Sequence, residues 1–126
     1  MAVSIRKDGN VISRQRIVFC YFSPKEIDYT PVDIGCIVAL LEQKFPGKYA
    51  CEILQLDYRL DTYARIDALR EHDVNRSVDL IGYHRPTAVF IFCESILWSK
   101  VNAFWRASSI AEELKRRQPD LFVGLQ

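Results

Sequence analysis

A doubly wound α/β fold, with a parallel sheet of at least four strands flanked by helices, is what this sequence predicts, and two observations carry the prediction. Four short runs are continuously apolar rather than alternating, as strands covered on both faces are. Between the runs the hydrophobic period changes to that of a helix, so strand and helix signals alternate along the chain. Its 126 residues, 49% hydrophobic and 26% charged, are ordinary globular composition and enough for one domain.

Taken in order, residues 1–14 read as a short polar lead-in with a turn at Asp8, Gly9 and Asn10, and residues 15–126 as the α/β domain. Ile17 to Phe22 is the first strand. From Pro31 onward, Ile34, Ile37, Val38 and Leu41 recur at helical spacing until Phe45, Pro46 and Gly47 stop the helix. Tyr49 to Leu56 is the second strand, with Glu52 and Gln55 as breaks. Val74, Val78 and Ile81 then share a helical face, with Asp73 placed to cap and Gly82 and Pro86 to close. Ala88 to Cys93 follows as the third strand. Phe104, Ala107, Ala111 and Leu114 form the stripe of a third helix whose other positions are charged, and Leu121 to Val123 is the fourth strand.

Parallel neighbours joined by such crossovers, with their nearly fixed right hand, give an open sheet of the flavodoxin-like or Rossmann-like kind. Sheets of this type usually carry five or more strands. The chain is therefore read as part of a longer protein, or as lacking a final strand and helix, and the exposed edge favours self-association.

Composition excludes several classes of function. With 17 Lys and Arg against 16 Asp and Glu, neither sign dominates, and no nucleic-acid footprint is expected. No apolar run reaches the ~20 residues of a membrane span, and Arg6, Lys7 and Asp8 interrupt the place of a signal peptide, so the expected location is cytoplasmic. Cys20, Cys36, Cys51 and Cys93 are too widely spaced for a zinc pair or an iron-sulfur motif and read as buried, reduced thiols.

Ligands of open α/β sheets bind outside the carboxyl ends of the strands, which directs attention to the loops after Phe22, Leu56, Cys93 and Val123. The first, Ser23 to Thr30, lacks the glycine pattern of dinucleotide folds and the GK[ST] of a P-loop. Pro24, Lys25 and Glu26 stand where a flavodoxin-type phosphate loop has small hydroxyl residues. A receiver-type phosphoacceptor would need an Asp ending the third strand, where this chain has Cys93 and Glu94.

The loop after the third strand, Glu94-Ser95-Ile96-Leu97-Trp98, carries more information. Here the chain resembles the cobalamin-binding domain family, which has S-x-L after the third strand and a Gly-Gly pair after the fourth. Ser95, Ile96 and Leu97 match the first element, and at the family's spacing Gly124 matches the first glycine, with Leu125 in place of the second. The resemblance implies that both line the slot for the cofactor's nucleotide tail. A hydroxyl, an apolar wall and a backbone without Cβ suit a bulky planar group. The family's D-x-H-x-x-G before the first helix appears as Thr30-Pro31-Val32-Asp33-Ile34-Gly35, keeping the final glycine, with Val32 where the cobalt-ligating His would stand. That pattern, the long connection from Asp57 to Pro86 and the closing Lys115-Arg116-Arg117-Gln118-Pro119-Asp120 look like the N-terminal B12-binding-like domain of radical SAM enzymes.

By resemblance, Thr30, Pro31, Val32, Gly35, Ser95, Ile96, Leu97, Gly124 and Leu125 contact a base-off cobalamin held without a protein His. The 4Fe-4S cluster and S-adenosylmethionine belong to a downstream radical SAM domain, often methyltransferase-like, because these residues contain no cluster motif. This segment is then not catalytic alone.

Several of these residues have simpler roles open to them. Ser95 equally suits capping the helix after it, Gly124 a turn, and Gly35 close packing of helix on sheet. Trp98 and Trp105 share a helical face as core or as an interface, the basis of an alternative reading as a protein interaction module without cofactor. Asp57 and Asp61 are read as solvated loop acids, Tyr83 and His84 as a helix end, and Lys115 to Arg117 as complements to a helix dipole.

Overall fold

The computed structural model describes residues 2–5, 11–22, 31–56, 66–93 and 100–126. Its elements are β1 (Ala2–Ile5), β2 (Val11–Phe22), α1 (Val32–Lys44), β3 (Tyr49–Leu56), α2 (Ile66–Tyr83), β4 (Ala88–Phe92), α3 (Lys100–Arg117) and β5 (Phe122–Leu125). Four parallel strands lie in the order β3-β2-β4-β5, with three helices flanking them, which is the doubly wound α/β fold.

The central strand is β2. Its carboxyl half pairs with β3 from Gln15 to Phe22 and with β4 from Ile17 to Tyr21. Its amino half forms an antiparallel ladder with β1, from Ala2 opposite Arg14 to Ile5 opposite Val11. The polar lead-in is therefore a strand, and β2 starts well before the apolar run. The turn expected at Asp8, Gly9 and Asn10 lies outside the described residues.

Two clusters make the core, one on each face. Toward α2 and α3 lie Val18, Cys20, Phe22, Val89 and Ile91, packed on Val78, Ile81, Ala107, Ile110 and Leu114. Toward α1 lie Ile17 and Phe19, packed on Ile34, with Phe90 and Phe92 partly buried beside them. Successive strand residues alternate between the clusters, so the apolar runs serve two faces at once. The first crossover runs outward from β2 to β3 and the second back past β2 to β4, so right-handed connections put α1 and α2 on opposite faces.

Local chemistry sets the helix ends. After α1 the chain turns through Pro46 and Gly47, whose φ of 72° is left-handed. α2 begins at Ile66, so Asp73 sits inside the helix rather than at its cap, and the face of Val74, Val78 and Ile81 is only its carboxyl half. Gly82 is also helical, and the left-handed residue that ends the turn is Arg85, at φ 49°. α3 is clasped to α2 by Arg117, which donates to Asp79 Oδ1 (2.7 Å), Asn75 Oδ1 (3.2 Å) and Glu113 Oε1 (3.0 Å). No helix among the described residues is long and apolar enough to cross a membrane.

Candidate functional site

The strand order reverses between β2 and β4, and that switch point, outside the carboxyl ends of the two strands, is where open α/β sheets bind their ligands. The connections leaving those ends contain Thr30 in the one and Ser95, Ile96 and Leu97 in the other, and all four lie outside the described residues. So do Asp57, Asp61 and Trp98.

Pro31 and Val32 stand at the start of α1. The Pro31 carbonyl accepts the Gly35 N–H at 3.0 Å, and the helix has no side-chain cap there. Val32 is 66% exposed. Gly35 is exposed, and a Cβ built on it would meet nothing within 4 Å, so close packing against the sheet is not the reason for this glycine.

Gly124 and Leu125 are not in a turn after the fourth strand. They extend β5, opposite Phe90 and Ile91 of β4. The ladder continues past them, with the Gln126 N–H on Ile91 O (3.0 Å) and the Cys93 N–H on Gln126 O (2.7 Å). A Cβ on Gly124 would lie 2.8 Å from Phe90 Cδ1 and 3.1 Å from Phe90 Cε1. The Phe90 ring, stacked on Phe19 at 5.6 Å and tilted against Phe122 at 5.5 Å, occupies the space that the missing side chain leaves.

Cys93 stands just past β4 at this edge. Burial pushes its thiol up, opposed by a hydrogen bond to the Gln126 backbone, so it is a neutral thiol near pH 7. The first turns of α3 border the same edge and expose Phe104 (55%) and Trp105 (57%). His84 is remote from it. It ends α2 at the amino edge of the sheet, where its carbonyl accepts from Arg16 Nη1 at 2.8 Å.

These residues meet the demands of a corrinoid only in part. Among the described residues no group of three or more His, Cys, Asp and Glu is placed to hold a metal ion. A planar tail resting on Gly124 requires the Phe90 ring to move aside. What remains suitable is backbone at a switch point and apolar walls.

A second concavity, of about 370 Å³, lies between α1 and the start of β3, lined by Arg14, Val38, Leu41, Glu42, Tyr49 and Cys51 among others. Arg14 donates to Tyr49 O at 2.6 Å and stands 3.9 Å from Glu42. Burial raises the Cys51 thiol, with Arg14 pulling the other way. Sequence reading missed this groove because its walls come from three segments with no common motif.

Compared with known proteins, the chain matches no protein-family model, no curated protein and no solved structure.

Proposed function

We propose that this is a cobalamin-binding-like domain of a cytoplasmic radical SAM enzyme, holding a base-off corrinoid at the carboxyl edge of the sheet without a protein imidazole. The observation that supports the reading is the order β3-β2-β4-β5, whose switch point falls between β2 and β4, the two strands that the motifs of the resemblance follow in sequence. The corrinoid, when bound, supplies the organometallic chemistry. The chain's own residues bind and orient it and exclude water, with Phe104 and Trp105 beside the edge as apolar wall. The domain does no chemistry alone.

The test is a cobalamin titration read by visible absorbance and gel filtration, on the longest natural reading frame containing these residues and on this chain in parallel. Co-elution with a base-off spectrum is expected, and Phe90→Ala should tighten binding by opening the space over Gly124. Absence of binding by both chains would sink the reading.

The position of Phe90 favours a second reading, an α/β interaction module that binds no cofactor. With its glycine already covered, the domain would dock a protein partner through Phe104, Trp105 and the aromatic residues near them. Trp105→Ala should then weaken association, and an unchanged affinity would count against this reading.

A further inference from the structure

The free side of β5 is built to meet its own image. The Phe122 and Gln126 N–H groups bond inward to Thr87 O (3.4 Å) and Ile91 O (3.0 Å) of the β4 side. In a parallel ladder alternate residues point each way, so the N–H and C=O groups of Val123 and Leu125 face outward along the edge. Among the described residues no strand pairs with that side of β5. Natural edges of this kind are usually blunted by a lysine, a proline or a bulge. The strand Phe122-Val123-Gly124-Leu125 has none of these. The adjacent cation, Lys115, is turned onto its own chain, with Nζ on the carbonyls of Pro119 (2.7 Å) and Leu121 (2.8 Å). A seam between identical surfaces is favoured when it carries no net charge, because a patch of one sign on one copy meets the same sign on the other.

The edge is also flanked by apolar surface above and below. On one face Phe122, 58% exposed, leans on Phe90. On the other, α3 turns Glu113 and Arg117 toward α2, so the helical repeat sets Phe104, Ser108 and Ala111 on the flank beyond β5. The strand edge alone falls well short of the ~800 Å² per partner of a standard interface, so the exposed rings of Phe122 and Phe104 on its two faces have to be covered with it.

We propose that β5 is the seam of a homodimer. Two copies pair their β5 strands antiparallel about a two-fold axis at Gly124, with Val123 bonded to Leu125 of the partner subunit and Leu125 to Val123 of the partner subunit. The two parallel sheets become one continuous sheet. The axis keeps both Phe122 rings on one face and both α3 flanks on the other. The seam shares Gly124 and Leu125 with the cofactor reading, but its test is made without corrinoid, so failure of the one is distinguishable from failure of the other.

Sedimentation velocity of this chain and of the longest natural reading frame containing it, from about 1 to 500 μM, with hydrogen exchange on the same samples, tests it. Each mass should double as concentration rises, this chain's from 14.6 kDa. The Val123 and Leu125 amides should slow by at least about tenfold over that rise, while Phe122 and Gly124 are protected throughout. Leu125→Pro removes one outward N–H and no bond to β4, and should leave a monomer with an unchanged circular dichroism spectrum. Should that variant unfold, Ser108→Arg on the α3 flank decides, and it too should dissociate the dimer. A monomer at every concentration overturns the proposal, as does a dimer that survives both substitutions. Protection of Val123 and Leu125 in a monomer also overturns it, since a strand of the same chain then holds the edge.

Discussion

The two faces of the sheet are made by the same strands and differ in what lies over them. Toward α2 and α3 the packing is aliphatic and dry, with Val18, Cys20, Ile81, Val89, Ile91 and Ala107 at 0% exposure. Toward α1 a single helix covers β2 and β3, and the surface over β4 and β5 is aromatic, ending in the half-open Phe122. Aliphatic side chains interlock where two helices close over the strands. Where cover is thin, Phe19, Phe90 and Phe122 cover one another, each ring shielding the next. One face is held by fit and the other by stacking.

The largest effect expected from that difference is in truncation. Ile91→Ala should cost about 2–5 kcal/mol in chemical denaturation, while Phe122→Ala should cost less than about 1 kcal/mol because its ring is already half in water. Equal losses would mean that the faces are packed alike. A smaller effect is expected at Gly124. Gly124→Ala drives a methyl into Phe90 and should cost ~1–3 kcal/mol, most of it recovered when Phe90→Leu is added, which a double-mutant cycle would measure.

Thiol labelling sharpens the contrast without altering the chain. Cys36, expected to be buried, is exposed on α1 and should react at once, and half-buried Cys51 and Cys93 more slowly. Cys20, on the dry face with its thiol pushed up to about 12 by burial, should stay unlabelled until the protein unfolds. The smallest effect concerns the α2–α3 clasp. Hydrogen bonds from Arg116 and Arg117 hold the Glu113 carboxyl at about 2, below its ordinary 4.5. A depressed pKa gives stability that is present above the ordinary value and lost as pH falls toward the folded one. Stability should therefore decline between about pH 4.5 and 2, and Glu113→Gln should flatten that decline, by a small amount because the pair is solvent-screened.

What was legible in the sequence was whatever is encoded locally. Ile34, Ile37, Val38 and Leu41 announced α1, and Ala88 to Phe92 announced β4, because period and run length are properties of a few adjacent residues. The β1–β2 hairpin was not legible, since each arm of its short ladder is apolar residues broken by Ser4 or ended at Ser13, and its register depends on pairing. The early start of α2 was hidden for a related reason, as only its second half displays the stripe over the sheet. Gly124 was singled out as backbone that admits a bulky planar ligand, or as a turn, and the structure sets it inside β5 beneath an aromatic ring. That ring is Phe90, distant along the chain and adjacent only once β4 and β5 pair. The motif residues Thr30, Ser95, Ile96 and Leu97 were legible as a pattern and lie outside the described residues.

The central place of β2 has a consequence for how the protein is born. Its flank against β4 joins Ile17 to Ala88, so the strand synthesised early waits for one synthesised late. At 5–20 residues per second, the stretch from Leu56 to Phe92 takes a ribosome roughly 2–7 s. During that interval β2, α1 and β3 can assemble, but Val18, Cys20 and Phe22 have no helix above them. The nascent chain thus carries a bare greasy flank for seconds, a window in which a holding chaperone would find its substrate.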